Sequence, residues 1–119
     1  MNNRLHNATN PYQGNRKKVL CVCSAGLLRS PTAAWLLSNE PFGYNTRAAG
    51  VHDYALIPVD DVLIHWADEI VFMQEEHKLI ADARFDLTDK VCKVLDIPDR
   101  YRTRDPELVK IIEDQYVSE

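Results

Sequence analysis

A chain of 119 residues, 45% hydrophobic and 27% charged, has the makings of one soluble domain that buries its core without disulfides or metal. Its net charge of -4 excludes a broad electrostatic footprint for nucleic acid and confines any anion site to a local patch. No run approaches the ~18 apolar residues of a membrane span, and Met1 to Gln13 has no apolar signal core, so a cytoplasmic protein with no membrane partner is expected. The three cysteines suit free thiols rather than a disulfide framework.

Residues 1–15 are Asn-rich and lack periodicity, which predicts a disordered tail ahead of a domain over 16–119. Lys18 to Cys23 is an apolar run with β-branched members, the pattern of a strand covered on both faces. A small-residue loop follows, and Ser30-Pro31 reads as cap and first turn of a helix through Leu37. Asn45 to Ala49 predicts a second strand closed by Gly50. Pro58 to Ala67 predicts a helix with Val59, Val62, Leu63 and Trp66 as its inner stripe. Glu69 to Met73 predicts a strand, Glu75 to Ala83 a helix, and Lys90 to Leu95 a buried strand. After a loop from Asp96 to Arg104, Asp105 caps a last helix with Pro106 at its start and Leu108, Ile111 and Ile112 facing inward.

This alternation implies an α/β fold: a four-stranded parallel sheet with helices on both faces, doubly wound in three layers like flavodoxin. Ligands in such folds bind outside the carboxyl ends of the strands. The loops after Cys23 and after Leu95 both fall at that end, so they are expected to converge.

Cys23 and Arg29 stand in a C-x5-R spacing that chance alone readily supplies. Its position between strand and helix gives it meaning. There the amides of Ser24, Ala25, Gly26, Leu27, Leu28 and Arg29 can turn toward one centre, aided by the helix dipole, and cradle a phosphate with Ser30 beside them. Gly26 permits the positive φ that a concave nest requires. A cysteine at the base of such a cradle is favoured as thiolate and becomes a nucleophile. Arg29 offers a planar fork of donors to two phosphoryl oxygens. Ser30 suits either a hydroxyl donor to the sulfur or a helix cap. Cys21 lacks the loop and reads as a buried strand residue. A zinc site from Cys21, Cys23, His6, His52, His65 and His77 lacks ligand spacing, and neither metal nor cofactor is expected.

The run Val19-Leu20-Cys21-Val22-Cys23-Ser24-Ala25-Gly26-Leu27-Leu28-Arg29-Ser30-Pro31 resembles the signature of the low-molecular-weight protein tyrosine phosphatases, in particular their compact bacterial branch. Arg47-Ala48-Ala49-Gly50 resembles that family's Ser-Ala-Gly segment, Ala67 to Met73 its strand ending in Met, and Ile97-Pro98-Asp99-Arg100-Tyr101 its late Asp-Pro-Tyr loop. The likeness spans roughly residues 17–116. It implies a cysteine-dependent phosphatase that works through a phosphocysteine, on a phosphorylated protein or small phosphoester, with inorganic phosphate as product and inhibitor. Gly26 replaces the family's usual Asn, Leu28 its neighbouring Cys, and Arg100 a Pro.

Expelling the leaving oxygen calls for a carboxylic acid. Asp105 has a structural explanation as helix cap and Asp96 as a turn residue, whereas Asp99 has neither and matches the family's acid. Tyr101 and Arg100 would then flank the pocket as its rim. With Arg102 and Arg104 they concentrate positive charge that suits either a polyanionic substrate such as a nucleotide or plain solvation. Two other functions share this scaffold. An arsenate reductase would need a disulfide relay from Cys21 or Cys92, and a non-catalytic module would bind phosphate without turnover.

Overall fold

In the computed structural model, residues 16–25, 28–52, 54–102 and 104–118 are described. The tail expected over 1–15 lies outside them, as do Gly26 and Leu27 of the loop. The elements run β1 (Lys18–Cys23), α1 (Arg29–Ser38), β2 (Asn45–Gly50), α2 (Asp61–Trp66), β3 (Glu69–Phe72), α3 (Glu75–Arg84), β4 (Val91–Val94) and α4 (Pro106–Ser118). The four strands form one parallel sheet in the order β2-β1-β3-β4, the expected α/β architecture. Strand order reverses direction between β1 and β3, which opens a crevice beyond their carboxyl ends.

Period-two alternation along the central strands builds a core on each face. Val19, Cys21 and Cys23 of β1 and Val71 of β3 pack with Leu37 of α1 and with Leu108 and Ile112 of α4. Leu20 and Val22 face the other way with Ile70 and Phe72, against Leu63 of α2 and Ala81 of α3. Each large side chain buried this way contributes on the order of 1.5–3 kcal/mol of transfer free energy. A continuous apolar run in β1 is thus what a central strand between two helical layers requires.

The structure corrects two expectations about elements. Helix α2 starts at Asp61 rather than Pro58, because Pro58 pairs as an isolated bridge with Gly50 and the Asp60 carboxylate caps the Leu63 amide at 2.9 Å. That phase buries Leu63 and Ile64 and leaves Val62 59% exposed, so of the predicted inner stripe Val62 fails, while Val59 and Leu63 are buried and Trp66 is partly buried against the core. Among the described residues strand β4 pairs with β3 alone and lies at the sheet edge, where Val91 is 59% exposed instead of buried. Asp105 caps α4 as expected, its carboxylate accepting from the Glu107 amide at 2.9 Å.

Candidate active site

The chain leaves β1 at Cys23 and enters α1 at Arg29, so both residues stand at the carboxyl edge of the central strand. The carbonyls of Cys23, Ser24 and Ala25 accept from the amides of Val51, His52 and Leu56 at 2.9, 3.2 and 3.3 Å. C=O and N–H of a trans peptide point in opposite directions, so the Ser24 and Ala25 amides face away from that segment. This close approach depends on Gly50. A Cβ there would meet the Ala25 carbonyl carbon at 2.6 Å, the Ala55 Cβ at 2.7 Å and the Ser24 oxygen at 2.7 Å.

Cys23, Ser24, Ala25, Leu28, Arg29, Tyr54 and Asp99 line one cavity of about 290 Å³. The Cys23 sulfur is buried at its base, 3.1 Å from the Ser30 hydroxyl, which also donates to the Ala49 carbonyl at 3.2 Å. Ser30 therefore sits inside the site and does not cap α1; Leu28 occupies the cap position without a side-chain bond. A hydroxyl has a single proton, and a thiolate at Cys23 draws it from the carbonyl to the sulfur.

Arg29 has a side chain only 3% exposed. One terminal nitrogen donates to the Gln74 Oε1 at 2.9 Å and to the Ile97 carbonyl at 2.8 Å, and the other to the Ser24 Oγ at 3.3 Å. The loops after β1, β3 and β4 thus meet on one guanidinium. Among the described residues its one carboxylate neighbour is Asp99, at 3.8 Å with a side chain 60% exposed. So long and solvated a pair neutralises little charge.

The other aspartates lie elsewhere. Asp105 is occupied as the cap of α4, and the Asp96 backbone is tied to Gln115 on the same helix, its N–H donating at 2.6 Å and its C=O accepting at 3.0 Å. Tyr101 corrects the expected rim. It is 8% exposed and packs in the core with Leu108 and Ile112, because the chain turns its apolar ring inward where α1 and α4 close over it. Arg100 is exposed, donates to the Tyr101 hydroxyl at 3.2 Å and does not line the cavity. Tyr54 is the aromatic that does line it, its ring stacked on His52 with centroids 4.9 Å apart and planes 9° from parallel. Cys21 is fully buried, and burial first, then Glu69 and Cys23, push its thiol up and out of the reactive range. Cys92 lies on β4 beside a different groove and is half-buried.

Gln74, unnoticed in the sequence, and His77, weighed there only as a scattered histidine without zinc spacing, both join the site. The one available signal was a polar pair, three residues apart, opening a helix directly after a strand at the same sheet edge. No grouping of His, Cys, Asp and Glu among the described residues has the arrangement of a metal site.

No protein-family model and no curated protein matches the sequence. Solved structures do match the fold. The tyrosine phosphatase Wzb from Escherichia coli K30, in complex with phosphate, superposes with a TM-score of 0.69 at 17% identity, covering 87% of this chain and 95% of its own. The YwlE arginine phosphatase from Geobacillus stearothermophilus gives 0.65 at 24% identity, covering 86% and 91%. A low molecular weight protein tyrosine phosphatase from Bacillus subtilis gives 0.66 at 20% identity, covering 85% and 95%. The chain has the fold of the low-molecular-weight protein tyrosine phosphatases over most of its length.

Proposed function

We propose that this chain is a phosphomonoester hydrolase in which Cys23 is the nucleophile, Arg29 and the loop amides bind the phosphoryl oxygens, and Asp99 is the general acid. The observation that carries the reading is the state of Arg29. A buried cation held by two carbonyls and a hydroxyl is oriented but not neutralised, and it stands in the same cavity as a buried cysteine. A buried charge whose one carboxylate neighbour among the described residues is distant and solvated is incompletely compensated, and an incoming dianion relieves that cost. The phosphatases named above share the fold and support the same chemistry.

In the first step the Cys23 sulfur attacks phosphorus in line, the S–P bond forms, the ester P–O bond breaks, and Asp99 gives its proton to the departing oxygen. Arg29 follows the equatorial oxygens into the transition state. In the second step Asp99 takes a proton from water, whose oxygen attacks phosphorus and releases phosphate and the thiolate. Ser30, 3.1 Å from the sulfur, steadies the thiolate as it forms and departs.

Tyr54 and the partly exposed Leu28 give the mouth apolar walls that suit an aryl leaving group. Protein phosphotyrosine is therefore the favoured substrate class. With Tyr101 in the core and Arg100 off the cavity, little remains at the mouth to select a nucleotide. An arsenate reductase is disfavoured because Cys21 is sealed in the core and Cys92 lies on the edge strand. Phosphate release should be measured on p-nitrophenyl phosphate, phosphotyrosine and phosphoarginine peptides, and nucleotides. Hydrolysis of the aryl esters is expected to lead. No release from any substrate would remove the proposal, and release from phosphoarginine alone would move the substrate class.

A further inference from the structure

His77 is fully buried, and the mechanism above leaves it without a task. It stands in the first turn of α3 and makes two bonds. Its Nδ1 accepts from the Gln74 amide at 3.1 Å, and its Nε2 lies 3.0 Å from the Ser24 Oγ. A ring nitrogen that accepts an N–H carries no hydrogen, so a neutral ring has its proton on Nε2 and donates to Ser24. Burial, with the charge of Arg29 and with His52 adding and Asp99 opposing, pushes His77 from 6.5 down to about 4, which keeps the ring neutral near pH 7.

Ser24 Oγ therefore receives two donors, Nε2–H from His77 and an N–H from Arg29 at 3.3 Å. A serine oxygen has two lone pairs and one hydrogen. With both lone pairs engaged, the remaining O–H must point elsewhere, and Ser24 lines the cavity beside Cys23.

We propose that His77 is a positioning residue that turns the Ser24 hydroxyl into a dedicated donor for an oxygen of the bound phosphoryl group. The role of Ser24 thus goes beyond its backbone amide, and it reaches into α3. This inference rests on the phosphatase reading for its effect on turnover, but not for its effect on phosphate binding.

Two substitutions separate positioning from simple structural support. His77→Asn places an oxygen near the site of Nδ1, so it keeps the bond from the Gln74 amide and falls short of Ser24. His77→Gln carries an N–H out to Ser24. Both are compared with Ser24→Ala and with the double variant Ser24→Ala/His77→Asn, reading kcat on p-nitrophenyl phosphate, the Kd of inorganic phosphate and the melting temperature. His77→Asn and Ser24→Ala are each expected to lose about tenfold in kcat and in phosphate affinity, the scale of one hydrogen bond to a charged group. The double variant should lose no more than Ser24→Ala, His77→Gln should recover most of the loss, and His77→Asn should melt close to wild type. Unchanged kinetics and phosphate affinity in His77→Asn would overturn the inference, and so would losses that multiply in the double variant. If the wild type hydrolyses nothing yet phosphate binding shows this non-additive pattern, the inference stands and the phosphatase reading falls. A wild type that binds no phosphate overturns both.

Discussion

Glu69 and Arg29 are charged side chains buried toward opposite ends of the strands, and the two are treated in opposite ways. At the amino edge Glu69 is 3% exposed, and its carboxylate receives the Tyr116 hydroxyl at 2.8 Å and the Lys17 ammonium at 3.4 Å. Lys17 also lies 4.4 Å from the Tyr44 ring centre, and Lys93 sits 4.0 Å from that of Tyr116. Desolvation, then the bond to Glu69, push the Tyr116 phenol far up, which keeps its hydroxyl a donor. That cluster is closed: anion, cation and hydroxyl satisfy one another, and aromatic rings cover them. At the carboxyl edge the buried charge is Arg29, whose hydrogen-bond partners are neutral acceptors and whose one carboxylate neighbour among the described residues, Asp99, is 3.8 Å away and solvated beside an open cavity. A protein gains nothing in stability by leaving a buried cation so weakly compensated. On the proposed reading, the amino edge is a structural staple and the carboxyl edge is the place where an anion arrives.

The comparison breaks most visibly through Arg29. Arg29→Lys keeps the charge but loses the bidentate fork, and kcat/KM should fall about 10³-fold while the melting temperature falls only modestly, through the lost bonds to Gln74 and Ile97. A large loss of stability would mean that Arg29 is a staple like Glu69. Asp99→Asn should lower kcat about 10²-fold on esters with poor leaving groups and less on p-nitrophenyl phosphate, with phosphate affinity retained. An equal loss on both esters would take the acid role from Asp99.

Tyr116→Phe makes the converse test, since it removes the hydroxyl from a buried carboxylate. It should cost about 2 kcal/mol in urea unfolding and leave kcat and KM unchanged. The smallest effect concerns pH. The folded value of His77, about 4, lies below its ordinary 6.5, so between these the unfolded chain holds a proton that the folded chain lacks. Stability then falls as pH drops through this window, by about 1.4 kcal/mol at pH 5.5 from this group alone, and His77→Asn should lack that component.

Much of this was legible from sequence wherever one local rule decides. The apolar run of β1, the strand-to-helix position of the Cys23 to Ser30 loop, and Asp105 before Pro106 each follow from covered strands, dipoles and caps. Asp99, reached by subtraction once Asp105 had an explanation and by its match to the family's acid, does line the cavity, and its acid role is part of the proposal. The failures share a cause, namely choices that only packing makes. Tyr101 looked like a rim aromatic because a loop sequence does not say which side of the chain meets the core. Val62 looked buried because the helix phase was counted from Pro58, and the true start is set by the Asp60 cap. Val91 looked buried because nothing local tells an edge strand from a central one. Gln74 and His77 escaped because their importance lies in reaching Arg29 and Ser24, 45 and 53 residues away in sequence.

The central claim is that the open edge is a covalent catalyst, with phosphorus passing through the Cys23 sulfur. It is tested most directly by quenching the wild-type protein during turnover of p-nitrophenyl phosphate and mapping the bound phosphate by mass spectrometry, beside phosphate release by Cys23→Ala. The account predicts one phosphate on the peptide carrying Cys23 and no turnover above background in the variant. Phosphate release by Cys23→Ala at the wild-type rate, with no phosphate on Cys23 in the wild type, would contradict it.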